Sequence, residues 1–220
     1  KGANKFCGEY IPLRYKARKD KHSPIIAICD ISGSMSRYSR MLLHFMHVLT
    51  TLRNDVHTFL FGTRLTNVTR FLKFKDVDEA LAATSSAVED WSGGTRIGDC
   101  LKEFNFNWSR RVLGPGAIVL FITDGLDRGG GIGLSKQIKL IQKSSKRLIW
   151  LNPLLRYEEF APKPTGVKAI LPYVDEFRPI HSLESMDQLV NALSETNLQS
   201  RFNMAPWLQK LSEIETAECH

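Results

Sequence analysis

The sequence predicts an α/β protein: a doubly wound, mostly parallel sheet with one antiparallel edge strand and helices on both faces. Three observations carry this. Runs such as "PIIAICD", "AIVLFITDG" and "RLIWLNP" are continuously apolar, as strands buried on both faces are. Segments with helical spacing of apolar residues lie between them. At 220 residues, 43% of them hydrophobic, the chain suits one such domain with appendages.

The elements follow in order. "PIIAICD" is the first strand, and "RMLLHFMHVLTTL" a helix. "VHTFLFGT" is a second strand. "NVTRFLKF" follows across a short polar break with Gly62 and Asn67, which suits a hairpin and an antiparallel strand. "DVDEALAATSSAV" is a helix with an acidic first turn. "WSGGT" is a loop, and "RIGDCLKEFNFNW" begins another helix. "AIVLFITDG" is a strand ending in Asp124. The glycine-rich "DRGGGIG" reads as a linker into the helix "LSKQIKLIQKSS". "RLIWLNP" is a strand stopped by Pro153, and "LRYEEFAPKPTG" a loop. "VKAILPYV" reads as a short helix, "EFRPI" as a short strand and "SLESMDQLVNALSE" as a helix. "WLQKLSEIE" has helical character. This divides the chain into a basic arm over 1–24, the α/β domain over 25–195 and a C-terminal tail over 196–220.

The net charge is +7. Residues 1–24 carry seven basic and two acidic side chains, an excess of five. The arm has no interleaved stacking aromatics and no nucleic-acid motif, so it reads as a solvated extension. No apolar run reaches membrane-spanning length, and no stretch resembles a secretory signal. The four cysteines, Cys7, Cys29, Cys100 and Cys219, form no CxxC pair. Cys29 sits inside an apolar strand as a reduced core residue. The expected compartment is the reducing cytoplasm.

In sheets of this class, ligands bind at the carboxyl ends of strands where the strand order reverses. The first strand runs into "DISGS", where Asp30, Ser32 and Ser34 alternate and so project to one side of a locally extended chain. "SGGT" ends in Thr95, and a later apolar strand ends in Asp124. If the two aspartate strands are neighbours, five oxygen-bearing side chains meet. Such a set suits a hard divalent cation; with no cysteine or histidine in the first loop, zinc and copper are disfavoured. The competing use of the loop is helix capping by Ser34 or Ser36.

Asp30-x-Ser32-x-Ser34, then Thr95, then Asp124 resembles the metal-ion-dependent adhesion site of von Willebrand factor A (VWA) domains, with all five positions filled. "LLHFMHVL", "FGTRLTNVTR", "DWSGGTRIG", "RRVLGPGAIVLFITDG", "RLIWLNPLL" and "LPYVDEFRPIHSLESM" together resemble the CoxE-like branch, from about Ile11 to Leu193. The resemblance implies a site for Mg2+, with Mn2+ or Ca2+ as substitutes. Ser32, Ser34 and Thr95 would bind directly, and Asp30 and Asp124 mainly through water. An open position would accept a partner's carboxylate, with no turnover. It also implies a MoxR-type AAA+ ATPase as partner, and a client of the molybdenum hydroxylase or carbon monoxide dehydrogenase type. Relatives usually carry a further N-terminal region, so the sequence is expected to be a C-terminal domain.

Other readings are weaker. A haloacid-dehalogenase-type phosphatase needs an acid where Ser32 stands. A dinucleotide fold needs G-x-G-x-x-G after the first strand. A metal-dependent hydrolase needs a base, for which Asp127 is the nearby spare carboxylate; its ordinary role is a turn. Nucleic-acid binding through the arm is the third alternative. His44, His47 and His57 lack a fitting further ligand, so packing is expected. Trp91, Arg96 and Arg64 either rim the site or cover the core edge. Lys136, Lys139, Lys143 and Lys146 form a helical stripe read as a solvated face, with docking to an acidic surface as its rival.

Overall fold

The computed structural model describes residues 23–88, 94–157, 159–194 and 204–218. The basic arm up to His22, Trp91, Cys7 and Cys219 therefore lie outside the described residues.

Six strands form one sheet in the order β3-β2-β1-β4-β5-β6. They are β1 (Ile25–Asp30), β2 (Val56–Phe61), β3 (Leu65–Asn67), β4 (Ile118–Ile122), β5 (Arg147–Asn152) and β6 (Glu176–Pro179). All neighbours pair in parallel except β2 and β3, which are antiparallel. The chain lays β2 and β3 on one side of β1, then returns to lay β4, β5 and β6 on the other. The order reverses between β1 and β4, whose register pairs Cys29 with Ile122. The fold is the expected one, with its switch point at the two aspartate-terminated strands.

The helices are α1 (Ser36–Leu52), α2 (Val77–Ala87), α3 (Ile97–Glu103), α4 (Ser109–Val112), α5 (Leu134–Ser144), α6 (Thr165–Ile170), α7 (Leu183–Ser194) and α8 (Ala205–Glu218). Strand alternation splits the core in two. Ile25, Ala27 and Cys29 meet Leu42, Met46 and Leu49 of α1 and Leu189 of α7 on one face. Ile26 and Ile28 face Ile97 of α3, Ile138 of α5, Ile170 of α6 and Leu211 of α8 on the other.

Three expectations need correction, and one helix is refined. The antiparallel strand is Leu65–Asn67, not "NVTRFLKF". Val68 N still donates to Thr58 O at 3.0 Å, but the chain then turns into a 3-10 segment, Phe71–Lys73, that carries Leu72 into the core beside α1. The apolar residues read as strand alternation are the inward face of that turn. Helix α1 starts at Ser36, four residues early, because Tyr38 and Ser39 are also buried. The helix begun by α3 continues through a π-helical turn, Phe104–Trp108, which lets Phe104 and Trp108 both pack edge-on against Phe59, at 5.2 and 5.3 Å. The glycine-rich segment is a folded turn rather than a linker: Gly131, at φ +75°, donates its N–H to Asp127 Oδ2 at 2.9 Å.

Candidate functional site

Strand β1 delivers Asp30 to the sheet's carboxyl edge, fully buried. Its Oδ1 accepts the N–H of Ser32 at 2.8 Å, which bends the chain out of the strand. Its Oδ2 accepts the hydroxyl of Thr123 at 2.7 Å, one residue past β4. Thr123 Oγ1 in turn accepts the N–H of Gly125 at 3.1 Å, and Trp150 Nε1 donates to Thr123 O at 3.0 Å. Asp124 is 2% exposed. Its Oδ1 accepts the Leu126 N–H at 2.9 Å, and Asn152 Nδ2 holds its carbonyl at 3.2 Å.

The hydroxyls sit in front of this framework. Ser32, Ser34 and Thr95 line one cleft of about 350 Å3, together with Gly33, Gly94 and Arg128. Ser32 Oγ and Ser34 Oγ lie 3.2 Å apart. Neither hydroxyl caps the helix: the 3-10 turn Gly33–Met35 and α1 both begin without a side-chain cap, and Ser36 Oγ donates to Gly33 O instead. The loop's competing use as a cap is thus absent. Thr95 is held from behind, its carbonyl accepting the Arg128 N–H at 3.0 Å while Arg96 N donates to Gly62 O.

The electrostatics of the site are unbalanced. Asp30 and Asp124 are both buried, and among the described residues neither has an ion pair; Glu176 pairs with Arg147 and Arg178 elsewhere. Burial, opposed by the bonds from Ser32 and Thr123 and aided by the charge of Asp124, pushes the Asp30 carboxyl up to about 6. Buried carboxylates are ordinarily paired with cations or coordinate metals. Two buried carboxylates behind three hydroxyls therefore fit a hard divalent cation in both charge and donor chemistry.

The other candidates divide between those outside this cleft and two, Asp127 and Arg128, that line it. Among the described residues no three His, Cys, Asp or Glu side chains gather as a metal cluster. His47 Nε2 instead bonds Phe74 O at 2.9 Å. Asp127 spends both oxygens on backbone: Oδ1 accepts from Ile97 N at 3.0 Å and Oδ2 from Gly131 N. It acts as a staple between the two loops. Arg128 lines the cleft, whereas Arg64 and Arg96 do not. The lysines of α5 are exposed. Thr123, Asn152 and Arg128 were not singled out by the sequence reading, although Thr123 stands directly before Asp124.

The sequence profile described as "VWA domain containing CoxE-like protein" matches residues 3–186. The chain belongs to this family. A VWA CoxE-like domain implies a protein-interaction or adaptor role. Proximal thread matrix protein 1 from the mussel byssus aligns at 19% identity and a TM-score of 0.51, over 79% of this chain and 47% of that one. The same protein with a zinc-occupied metal-ion-dependent adhesion motif aligns at 18% and 0.50, over 79% and 47%. The pilus adhesin SpaC from Lactobacillus rhamnosus GG, in its open conformation, aligns at 12% and 0.53, over 79% and 30%. These likenesses show the fold, and this chain spans less than half the length of each. VWA domains can bind a metal at this motif, as the zinc-occupied neighbour shows. No curated protein matches the sequence. Among the described residues no helix is long and apolar enough to cross a membrane.

Proposed function

We propose that this VWA CoxE-like domain is a non-enzymatic, metal-dependent protein-binding module. The observation that carries the reading is the buried pair Asp30 and Asp124, without an ion pair among the described residues, behind the hydroxyls of Ser32, Ser34 and Thr95. The three hydroxyls would hold Mg2+ directly, with Asp30 and Asp124 acting mainly through water; Mn2+ or Ca2+ would substitute. When bound, the ion supplies an electrophilic position open to a partner's carboxylate. The chain's own residues do the rest. Thr123 and Ser32 orient Asp30, Leu126 and Asn152 fix Asp124, and the backbone N–H of Arg128 and the Asp127 carboxylate hold the Thr95 loop.

The family supports a further step. In this reading the domain is a cytoplasmic adaptor between a MoxR-type AAA+ ATPase and a metalloenzyme client of the molybdenum hydroxylase type. The buried, unpaired thiols of Cys29 and Cys100 accord with a reducing compartment. Titration calorimetry with Mg2+ on native protein, Asp30→Ala and Thr95→Ala tests the metal step: native protein binds and both variants lose binding. Equal binding by all three ends the reading. Pull-downs in Mg2+, in EDTA and with Ser34→Ala test the partner step, and a client retained in all three moves recognition to another surface.

A further inference from the structure

We infer that Arg128 is a second anchor for the partner: it reads an acidic side chain next to the one taken at the metal site, so the recognised segment carries two acidic residues. This rests on the metal-bridged reading above.

The backbone of Arg128 is fixed on both sides. Asp127 before it is pinned by the N–H groups of Ile97 and Gly131. Its own N–H is bonded to Thr95 O at 3.0 Å. The side chain then runs across the Thr95 loop, over Gly94. A Cβ at position 94 would stand 2.7 Å from Arg128 Cδ and 2.6 Å from Nη1, so glycine is what leaves room for the arginine. The guanidinium is exposed and, among the described residues, has no hydrogen bond or ion pair. It lines the same cleft as Ser32, Ser34 and Thr95.

Size and charge indicate what it meets. A water occupies about 30 Å3 in the liquid, and a carboxylate has only three heavy atoms. One carboxylate on the metal would leave most of the 350 Å3 cleft unfilled. Among the described residues that line the cleft the acidic side chain is Asp127, which is engaged by backbone donors. Among the described residues, the unfilled part therefore presents a guanidinium with no anion against it. A guanidinium fork takes a planar carboxylate through two parallel bonds, which a lysine ammonium cannot do.

The test uses the full chain with two fluorescent peptides, Gly-Gly-Asp-Glu-Gly-Gly and Gly-Gly-Asp-Gln-Gly-Gly, titrated in Mg2+ and in EDTA. In Mg2+ the two-acid peptide should bind about tenfold more tightly, the size of one charge-assisted hydrogen bond pair. Arg128→Gln should erase that preference yet keep Mg2+-dependent binding of the one-acid peptide, and Arg128→Lys should restore only part of it. Equal binding of both peptides by native protein, or an unchanged preference in Arg128→Gln, overturns the proposal while leaving the metal reading intact. No Mg2+-dependent binding of either peptide overturns the metal reading itself. A phosphoserine replacing the glutamate and binding more tightly still, with the same dependence on Arg128, overturns the carboxylate in favour of a phosphate.

Discussion

Thr123 donates its hydroxyl to Asp30 Oδ2 at 2.7 Å across the seam between β1 and β4, and both residues are fully buried. This bond joins the two strands at the point where their order reverses, and it orients a carboxylate of the candidate metal site. Thr123→Val keeps the shape but removes a donor to Asp30 and an acceptor for Gly125 N. Leaving buried groups unpaired costs roughly 1–3 kcal/mol. Urea unfolding should show that loss, and calorimetry should show weaker Mg2+ binding; Thr123→Ser should restore most of both. Native Mg2+ affinity in the valine variant would mean that Asp30 needs no such positioning.

The Asp30 carboxyl, pushed up to about 6 mainly by burial, sets a pH dependence. A folded-state value above the ordinary carboxylate value means the folded protein holds this proton more tightly than the unfolded chain. The resulting stability is present below about pH 4 and is lost as pH rises through about 6. Above that, the metal-free protein carries an ionised, buried carboxylate at a cost on the order of 2–3 kcal/mol. Mg2+ should therefore raise the melting temperature more at neutral pH than near pH 5, because cation binding needs the deprotonated group. Asp30→Asn should flatten the metal-free pH profile between about 4 and 6 and lose the Mg2+ effect. A native profile in that variant would assign the titration to another group.

Helix α6 approaches the loop after β4 so closely that Gly166 has no room for a side chain: an added Cβ would overlap Gly125 O. The obstacle is backbone, which cannot rotate away. Gly130, by contrast, has φ +64° but open space around its missing Cβ. Gly166→Ala should lower stability by about 1–3 kcal/mol through overpacking. It should also weaken Mg2+ binding, because Gly125 follows Asp124 directly. Gly130→Ala should cost about 1 kcal/mol, the left-handed backbone strain alone, with Mg2+ affinity unchanged. Denaturation and calorimetry on the pair separate the two effects.

How far the sequence carried the structure depends on what each feature rests on. The buried strands were legible because burial on both faces suppresses polar alternation, and their ends placed Asp30 and Asp124 on the same edge. The edge strand β3 was displaced because three residues carry too little pattern to outweigh the apolar 3-10 turn after it. The hydroxyls of Ser32, Ser34 and Thr95 were legible as a spaced motif. Thr123, Asn152 and Arg128 were not, since their roles arise from cross-strand bonds and from a side chain laid over Gly94, neither of which has a local signature. Asp127 was read as a turn residue, which its bond to Gly131 bears out, but its second bond, to α3, has no local signature either. As a lone carboxylate beside a proposed cation it suggests a base, yet its oxygens meet backbone N–H groups 30 residues upstream and four downstream.

Glu176 supplies a control remote from the site. It is buried at the start of β6, held by Arg147 and by Arg178. Arg147 also donates to Ala192 O in α7 at 3.1 Å, so the cluster ties the sheet edge to that helix. Removing the shared anion leaves two cations facing each other in a poorly hydrated place. Glu176→Ala should cost about 3–5 kcal/mol. Mg2+ affinity should stay native under conditions where the variant is folded, because the carboxyl edge is untouched. A matched loss of affinity would show that metal binding reports global stability, and the losses expected for Thr123→Val would then need that correction.

Asp127 decides between a binding module and a hydrolase. A general base is most effective when its oxygen is turned to the reacting water, whereas each oxygen of Asp127 is directed to a backbone N–H, from the first turn of α3 and from Gly131. The staple reading makes a specific demand. Asp127→Asn keeps one acceptor but sets an amide N–H2 against a backbone donor. The Thr95 loop should loosen, with stability falling by about 1–3 kcal/mol and Mg2+ affinity falling with it. Native protein should show no Mg2+-dependent turnover of p-nitrophenyl phosphate. Turnover by native protein that vanishes in Asp127→Asn at unchanged Mg2+ affinity would reverse the assignment: the carboxylate would be reactive, and its two backbone bonds would be holding a base in place instead of a loop.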